Sequence, residues 1–264
     1  MLLKDKKLFL LDMDGTLYLG DRLFDGTTDF LKKIKEKGGQ YLFLTNNSSK
    51  SADAYVAKLA RLGIEASKED FFTSTNATIQ LLKKEYPDTL FYAMGTASFV
   101  KELKEAGLRV TECVSDEVGG VVISNDWELT FQKLYDVSYL LLHNPDLVYL
   151  ATNPDWVCPT EFGSVPDCGA FAQMLQHATG KLPRFIGKPQ PEMLYAAMDK
   201  LGYSKDETVM VGDRIYTDIA SGVRAGVDTV FVLSGEGTLE DVDKSQEKPT
   251  YIEASVKTLL SKIV

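Results

Sequence analysis

The sequence predicts an α/β protein in which a parallel-sheet core domain carries an inserted α/β domain. Short apolar runs alternate with helical patterns along the 264 residues, which is the order of elements in proteins with parallel sheets. The apolar runs are unbroken, as is typical of strands buried on both faces. The strand–helix order restarts after Pro87, and this restart indicates that a second domain interrupts the first.

Three strand–helix pairs make up the first part of the chain. Apolar runs predict strands at 8–11, 41–44 and 71–74, and apolar spacing predicts helices at 28–37, 52–62 and 76–86. Glycines follow the first two helical patterns at Gly38 and Gly63, and glycine is a common helix stop. This order favours a parallel sheet with helices on its faces.

Two further runs complete the pattern. The second contains predicted strands at 90–94, 120–124 and 147–152 and predicted helices at 99–106, 131–142 and 170–179. Residues 153–169 hold three prolines and two glycines and are interpreted as a long irregular loop. The third run opens on 185–191 and contains predicted strands at 208–213 and 229–233, helices at 192–201 and 218–224, and a C-terminal loop and helix. We therefore expect a core domain of residues 1–84 and 181–264, with residues 85–180 inserted.

Charge, cysteine content and histidine content narrow the classes of function. The net charge is −9 without a basic block, which disfavours nucleic-acid polymers and anionic membranes as partners. Cys113, Cys158 and Cys168 form no Cys-x-x-Cys pair, which favours a reducing compartment. No signal-peptide pattern and no apolar run of about 18 residues occurs, so we expect a cytoplasmic protein without a membrane span. His143 and His177 are the only histidines, so the chain offers few candidates for the histidine of a Ser-His-Asp or Cys-His mechanism.

Polar side chains follow the predicted strands of the core domain at the points where those strands end. They are Asp12 with Asp14, Thr45 with Asn46, Lys188, and Asp213 with Asp218. Right-handed crossovers bring the carboxyl ends of parallel strands to one edge of a sheet, where ligands bind. Carboxylates about 4 Å apart repel by roughly 4 kcal/mol at an effective dielectric near 20, so a cation is expected among them. Oxygen ligands without histidine favour Mg²⁺.

The same residue types suit phosphoryl transfer. Mg²⁺ between Asp12 and Asp213 would screen a phosphate dianion from a nucleophilic carboxylate, while Lys188 and the Thr45 hydroxyl would hold the other phosphate oxygens. A carboxylate that attacks phosphorus forms an acyl phosphate. A second acid must then protonate the leaving alkoxide and deprotonate the water, and Asp14 fits that role. Asp218 is expected to orient water bound to the metal.

These motifs resemble, in order, the four motifs of the haloacid dehalogenase superfamily of phosphatases. The resemblance rests on Asp12-Met13-Asp14-Gly15-Thr16, Thr45-Asn46, Lys188, and Gly212-Asp213 with Asp218. Segments 44–51, 151–155 and 187–189 further resemble the NagD-type branch, which includes p-nitrophenyl phosphatase-like enzymes and carries a large α/β cap. The similarity extends over almost the whole chain.

The resemblance implies a Rossmann-like core with a cap domain and Mg²⁺-dependent hydrolysis of small-molecule phosphate monoesters, including p-nitrophenyl phosphate in vitro. Asp12 would be the nucleophile that forms an aspartyl-phosphate, and Asp14 the acid/base. Asp12, Asp213 and the backbone carbonyl of Asp14 would bind the metal. Thr45, the backbone of Asn46 and Lys188 would bind phosphate. A homodimer formed through the caps is common in this branch.

Four further polar residues are candidates for substrate contact. Asn47, Asn153 and Asp155 are predicted to line the substrate site, although Asn153 and Asp155 fit an Asx turn around Pro154 equally well. Asp167 either points towards the substrate, where it would disfavour a second anionic group, or caps the following helix, which we prefer.

Other functions share part of this residue pattern. A phosphomutase or phosphotransferase of the same superfamily would use the same motifs. A receiver-like signalling module also has acids, a hydroxyl and a lysine around Mg²⁺, but it is a single short domain without a cap. A phospho-ligand-binding protein would be expected to lack an acid at position 12 or 14, and both are present. The physiological phosphomonoester is not set by these motifs, since it depends on the cap loop at 153–169.

Overall fold

The computed structural model describes residues 2–47, 52–160 and 162–263. Its strands are β1 (Leu8–Leu11), β2 (Tyr18–Leu19), β3 (Arg22–Leu23), β4 (Gln40–Thr45), β5 (Phe71–Thr73), β6 (Leu90–Met94), β7 (Val110–Thr111), β8 (Val118–Ile123), β9 (Val148–Ala151), β10 (Val157–Thr160), β11 (Gly163–Pro166), β12 (Arg184–Phe185), β13 (Thr208–Gly212), β14 (Asp228–Val232) and β15 (Tyr251–Glu253). Its helices are α1 (Thr27–Glu36), α2 (Ala52–Arg61), α3 (Ser74–Glu85), α4 (Ala97–Glu105), α5 (Phe131–His143), α6 (Cys168–Thr179), α7 (Glu192–Leu201), α8 (Ala220–Ala225), α9 (Leu239–Lys244) and α10 (Val256–Leu260).

The chain divides into two compact units. The first is formed by the described residues of Met1–Thr45, Ala52–Phe72 and Lys188–Val264, and the second by those of Asn46–Ser51 and Thr73–Gly187. Each unit has its own sheet and its own apolar core. The predicted α/β class is therefore confirmed for both units.

The first unit is organised around β1, which lies inside a six-stranded sheet of order β15-β14-β13-β1-β4-β5. Strand β1 pairs in parallel with β13 on one side and with β4 on the other. Its four apolar residues are all buried, as expected for a strand with both faces covered. On one face, Phe9 meets Phe30 of α1 edge-on at 5.8 Å between ring centroids. The opening apolar run thus forms the centre of the core.

The second unit contains a five-stranded sheet of order β12-β9-β8-β6-β7. Every pairing between neighbouring strands in it is parallel. Helices α5 and α6 contribute Leu141 and Leu175 to a core that also contains Tyr92 and Ile123 of the sheet. The edge strand β7 was not predicted, because its two residues are too short a run to show a pattern.

Residues 153–169 are more regular than predicted. Strands β10 and β11 form an antiparallel hairpin in which Val157 pairs with Pro166 and Cys158 with Val165. Proline has no N–H, and this argued for a loop. In a two-stranded ribbon each strand has only one partner, so a proline can direct its missing donor to the unpaired side. The interpretation of this segment as an irregular loop is wrong for that reason.

Two surface properties bear on partners. None of the helices in the described ranges has the length and apolar character needed to cross a membrane. One face of α5 exposes four large apolar side chains, namely Phe131, Tyr135, Tyr139 and Leu142. Their spacing of three and four residues places them in a single stripe along the helix.

Candidate active site

The register of the first sheet brings three predicted site residues to one edge. Leu11 pairs with Val211 of β13 and with Phe43 of β4, and the backbone N–H of Asp12 donates to Val211 O at 2.9 Å. Asp12 and Asp213 therefore leave neighbouring strands at nearly the same level. Thr45 ends β4 on the other side of β1.

Three carboxylates cluster at this edge around one ammonium group. One carboxylate oxygen each of Asp12, Asp213 and Asp218 lies within 4.8 Å of the others. The Lys188 Nζ lies 2.6 Å from Asp12 Oδ1 and 2.7 Å from Asp218 Oδ1. The Lys188 side chain is only 4% exposed, so it is a buried counter-charge. Residues that lie more than two hundred positions apart in the sequence, such as Asp12 and Asp218, thus form one group.

Burial controls the protonation of this cluster. Desolvation, together with the nearby Asp218 charge, raises the pKa of Asp213 to about 6. Desolvation also raises the pKa of Asp218 to about 6, with a further rise from Asp12 and an opposing effect of Lys188. The pKa of Asp12 is raised mainly by desolvation, while Lys188 lowers it. Lys188 keeps a raised pKa despite burial, because Asp12 and Asp218 stabilise its charge.

This cluster fits a hard divalent cation. All three side-chain donors are carboxylate oxygens, and none of the described residues adds a histidine or cysteine ligand to the group. Mg²⁺ binds through one or two carboxylates and keeps its remaining positions for water and phosphate. After burial, the charge of Asp218 is the next cause that raises the pKa of Asp213, and the charge of Asp12 the next that raises the pKa of Asp218, so a cation among the three would offset their mutual repulsion.

The loop after β14 encloses Asp213, and the sequence patterns did not predict this role. The backbone N–H of Glu236 donates to Asp213 Oδ2 at 2.8 Å, and the Thr16 hydroxyl donates to Asp213 Oδ1 at 3.3 Å. The Ser234 hydroxyl donates to the carbonyl of Gly15 at 2.8 Å. Ser234 follows soon after the end of β14, so the strand-end rule that found Asp213 could also have found this loop.

Gly15→Ala is expected to lower activity about 10²-fold, the usual effect of misplacing a group in an active site by about 1 Å. Gly15 has φ +87°, and a Cβ built there would lie 2.3 Å from Asp213 Oδ2. Gly20 is the matched control, because it also has positive φ (+59°) but nothing lies within 4 Å of its Cβ position. Steady-state assays of both variants separate the clash from backbone strain. Equal loss in the two variants would contradict the expectation.

Asp218 also shapes the backbone beside the cluster. Its Oδ2 accepts a hydrogen bond from the Arg214 N–H at 3.2 Å, and a Cβ on Gly212 would lie 2.3 Å from its Cβ. A π-helical turn, Ile215–Ile219, precedes α8. The helical region predicted to begin at Asp218 therefore begins with this π-helical turn, and α8 itself begins at Ala220, while the carboxylate of Asp218 satisfies the backbone N–H just before the turn.

Asp14 and Thr45 lie at the same edge but outside the carboxylate cluster. The Asp14 side chain is 51% exposed, and its Oδ2 lies 3.7 Å from Lys58 Nζ. The Thr45 hydroxyl lies 3.4 Å from the Tyr55 hydroxyl. Both new partners belong to α2, and neither Lys58 nor Tyr55 was predicted. A metal-binding role of the Asp14 backbone carbonyl stays a prediction.

The predicted substrate residues of the second unit form a polar network. Asn46 Nδ2 donates to Asp155 Oδ2 at 2.9 Å, and Asn153 Nδ2 donates to the same oxygen at 3.1 Å. Asn153 Nδ2 also donates to Asp167 Oδ1 at 3.2 Å. Asn153 is fully buried. Asn47 is half-buried, while residues 48–51 of the same predicted motif lie outside the described residues.

Asp167 caps α6, which is the alternative that the sequence favoured over a contact with substrate. Its Oδ1 accepts the Cys168 N–H at 2.6 Å, and it is the N-cap residue of that helix. Burial raises its pKa from 3.8 to about 6, against the opposing effects of the Cys168 and Asn153 hydrogen bonds.

Stability is expected to depend on pH through Asp167. The pKa of Asp167 is higher in the folded state than in the unfolded state, so protonation of this group stabilises the fold. This stabilisation is complete below pH about 4 and is lost as the pH rises through about 6. Two pKa units correspond to roughly 3 kcal/mol. Asp167→Asn keeps an N-cap acceptor but does not titrate. Urea unfolding at pH 4 to 7 should show the wild type losing stability relative to this variant, and parallel curves would exclude the effect.

Comparison with known proteins shows that this chain is similar to hydrolases. A family model for haloacid dehalogenase-like hydrolases matches residues 9–109, and a HAD-hydrolase-like model matches residues 185–259. The acid sugar phosphatase of Staphylococcus aureus is 37% identical over 249 residues, which cover 94% of this chain and 95% of that protein.

Two solved structures show the same fold over almost the whole of this chain. The 4-nitrophenylphosphatase of Thermotoga maritima is 35% identical with a TM-score of 0.91, covering 99% of both chains. The glycerol phosphate phosphatase of Mycobacterium tuberculosis, solved in complex with magnesium, is 29% identical with a TM-score of 0.90. The match covers 99% of this chain and 79% of that one.

Proposed function

This chain belongs to the haloacid dehalogenase-like hydrolase family, in the branch of NagD and the p-nitrophenyl phosphatases, and we propose that it hydrolyses small phosphate monoesters with Mg²⁺ through an aspartyl-phosphate. It is a phosphoric monoester hydrolase, as its relatives are. The observation that carries the finer proposal is the contact of one buried ammonium with two of three clustered carboxylates.

Asp12 and Asp213 are the proposed metal ligands, with the backbone carbonyl of Asp14. When bound, Mg²⁺ supplies positive charge that screens the phosphate from the carboxylates. The glycerol phosphate phosphatase solved with magnesium supports this choice of ion, as does the all-oxygen donor set. Asp218 holds Lys188 from the other side.

Asp12 is the proposed nucleophile. Its carboxylate forms a bond to phosphorus while the bond from phosphorus to the ester oxygen breaks, and Asp14 gives its proton to the departing oxygen. Asp14 then removes a proton from the water that releases phosphate from Asp12. Lys188 and the Thr45 hydroxyl hold the phosphate oxygens during both steps, with Asn46 contributing its backbone. Asn47, Asn153 and Asp155 remain proposed contacts for the organic part of the substrate.

Sugar and polyol phosphates are the proposed substrate class, with p-nitrophenyl phosphate as an artificial substrate. The names of an acid sugar phosphatase, a glycerol phosphate phosphatase and a 4-nitrophenylphosphatase among the relatives support this class. They also favour hydrolysis over phosphomutase, receiver-like or ligand-binding functions, since each named relative is a phosphatase.

Removal of divalent ions is expected to lower phosphate release at least about 10²-fold, because the charge of the three carboxylates then opposes phosphate binding. The measurement is phosphate release from a panel of sugar, polyol, nucleoside and p-nitrophenyl phosphates, before and after EDTA treatment. Adding Mg²⁺ back should restore activity, whereas Na⁺ at equal ionic strength should not. Full turnover after EDTA, or no turnover on the whole panel, would refute the proposal.

A homodimer through the second unit is the proposed assembly. The exposed apolar stripe on α5, which includes Phe131 and Tyr135, supports it, since such patches commonly mark protein interfaces. Light scattering of the wild type and of Phe131→Asp tests this: the wild type should be dimeric and the variant more dissociated. A monomeric wild type at high concentration would rule it out.

A further inference from the structure

Lys58 of α2 is placed where it can orient the Asp14 carboxylate. Its Nζ lies 3.7 Å from Asp14 Oδ2 and 4.1 Å from the centroid of the Tyr18 ring. A cation over an aromatic face is attracted by the ring as well as by the carboxylate. The Lys58 side chain is only 24% exposed, so these contacts are partly shielded from water.

Asp14 and Tyr18 belong to the same closed turn. The Gly15 N–H donates to Tyr18 O at 2.8 Å, and Asp14 and Tyr18 form a β-bridge. Tyr18 is buried, so its ring is a fixed surface beneath the ammonium. The turn therefore presents a ring and a carboxylate together to one lysine.

The helix that carries Lys58 is anchored one turn away. Tyr55 is three residues before Lys58 and thus on the same side of α2. It is buried, and its ring stacks on Phe71 at 5.6 Å between centroids. Because α2 is held at Tyr55, the ammonium of Lys58 is presented to Asp14 from a rigid element and not from a loop.

We propose that Lys58 is a positioning residue that directs the Asp14 carboxylate towards the leaving group of the substrate. This inference rests on the proposed acid role of Asp14. In the step concerned, the bond between Asp12 and phosphorus forms, the ester P–O bond breaks, and the Asp14 proton moves to the departing oxygen. More than half of the Asp14 side chain is exposed, so without Lys58 the carboxylate samples other rotamers.

The test is the dependence of kcat/KM on the leaving group. p-Nitrophenolate is weakly basic and departs without a proton, whereas the alkoxide of glycerol phosphate needs one. The kcat/KM value covers the steps up to departure of the leaving group, so the later attack of water does not enter it. Lys58→Met should lower kcat/KM for glycerol phosphate about tenfold and for p-nitrophenyl phosphate less than about twofold.

Two further variants control this experiment. Lys35 is the matched control, since its Nζ lies 4.8 Å over the Tyr41 ring of the same unit, and Lys35→Met should leave both values unchanged. Lys58→Arg should largely restore the glycerol phosphate value, because a guanidinium pairs with carboxylates and stacks on aromatic rings. Rescue of this kind separates orientation of Asp14 from general support of the fold.

The Asp14→Asn variant distinguishes the role of Lys58 from the acid role of Asp14. Asp14→Asn should lower kcat/KM for glycerol phosphate more than for p-nitrophenyl phosphate, and if it does not, the acid role itself is wrong. If Asp14→Asn behaves as expected while Lys58→Met lowers both substrates equally, or neither, the role of Lys58 is overturned.

Discussion

Asp12→Asn is expected to abolish phosphate release from every phosphate monoester, with a loss of at least about 10³-fold in kcat. The amide has the shape of the carboxylate but is a far weaker nucleophile, so the bond to phosphorus does not form. The measurement is phosphate release under saturating Mg²⁺ with the best substrate of the panel. The absence of a phosphate adduct on the variant by mass spectrometry adds a second readout.

The fold of this variant should survive. Burial raises the pKa of Asp12, which means that its charge is disfavoured in the folded state, and a neutral amide avoids that cost. Lys188 keeps Asp218 as a partner at 2.7 Å. Asp25→Asn serves as control, since that carboxylate is 89% exposed and should retain full activity. Activity of Asp12→Asn above a few per cent of the wild type would show that another group attacks phosphorus.

Lys188→Met is expected to lose both activity and stability. Activity should fall about 10²–10³-fold, because a buried positive group facing the phosphate is removed. In EDTA at pH 7, unfolding free energy should fall by about 3 kcal/mol, the usual cost of leaving buried partners of an ion pair uncompensated. Those partners are Asp12 and Asp218, at 2.6 and 2.7 Å.

The loss of stability in Lys188→Met should depend on pH, and its direction follows from the protonation of Asp12 and Asp218. Protonation of Asp12 and Asp218 removes the uncompensated charge, and burial raises both of their pKa values, that of Asp218 to about 6. The deficit of Lys188→Met relative to the wild type should thus be largest above pH 7 and shrink as pH falls through about 6. Urea unfolding across this range measures it, and a deficit that stays constant with pH would contradict the electrostatic explanation.

Lys6→Met is the control that shows what loss of a buried, paired lysine outside the carboxylate cluster does to stability and activity. Its side chain is 1% exposed and pairs with Asp228 Oδ2 at 2.7 Å, next to the start of β1. Lys6→Met should therefore also lower stability while kcat/KM stays close to the wild-type value. Equal loss of activity in the two variants would show that Lys188 acts only through the fold.

The residues at the strand ends could be predicted from the sequence because parallel sheets follow simple rules. An unbroken apolar run marks a buried strand, and the first polar residue after it lies at the sheet edge where ligands bind. Asp12, Thr45 and Asp213 were found in this way, and the structure places all three at one edge. The α/β class followed from the alternation of these runs with helical patterns, and the family membership followed from the motifs.

The hairpin at β10 and β11 shows where local patterns fail. Prolines and glycines marked residues 153–169 as irregular, yet backbone pairing makes them a two-stranded ribbon. Pairing depends on which segments meet in space, and a single-sequence pattern does not contain that information. The loop that encloses Asp213 through the Glu236 N–H is a different case, because it follows the end of β14 and the strand-end rule could have found it.

The sequence by itself determined the alternation of the longer strands and helices, the buried strand at 8–11 and the acids that follow it, because these depend on residues close together in the chain. Only the tertiary structure decided which side chains from distant segments touch, such as Lys188 with Asp218 and Lys58 with Asp14. It also decided the pKa values, since these depend on burial and on charges brought near by folding. Contacts of this kind follow from packing and strand register, which emerge only when the whole chain is folded.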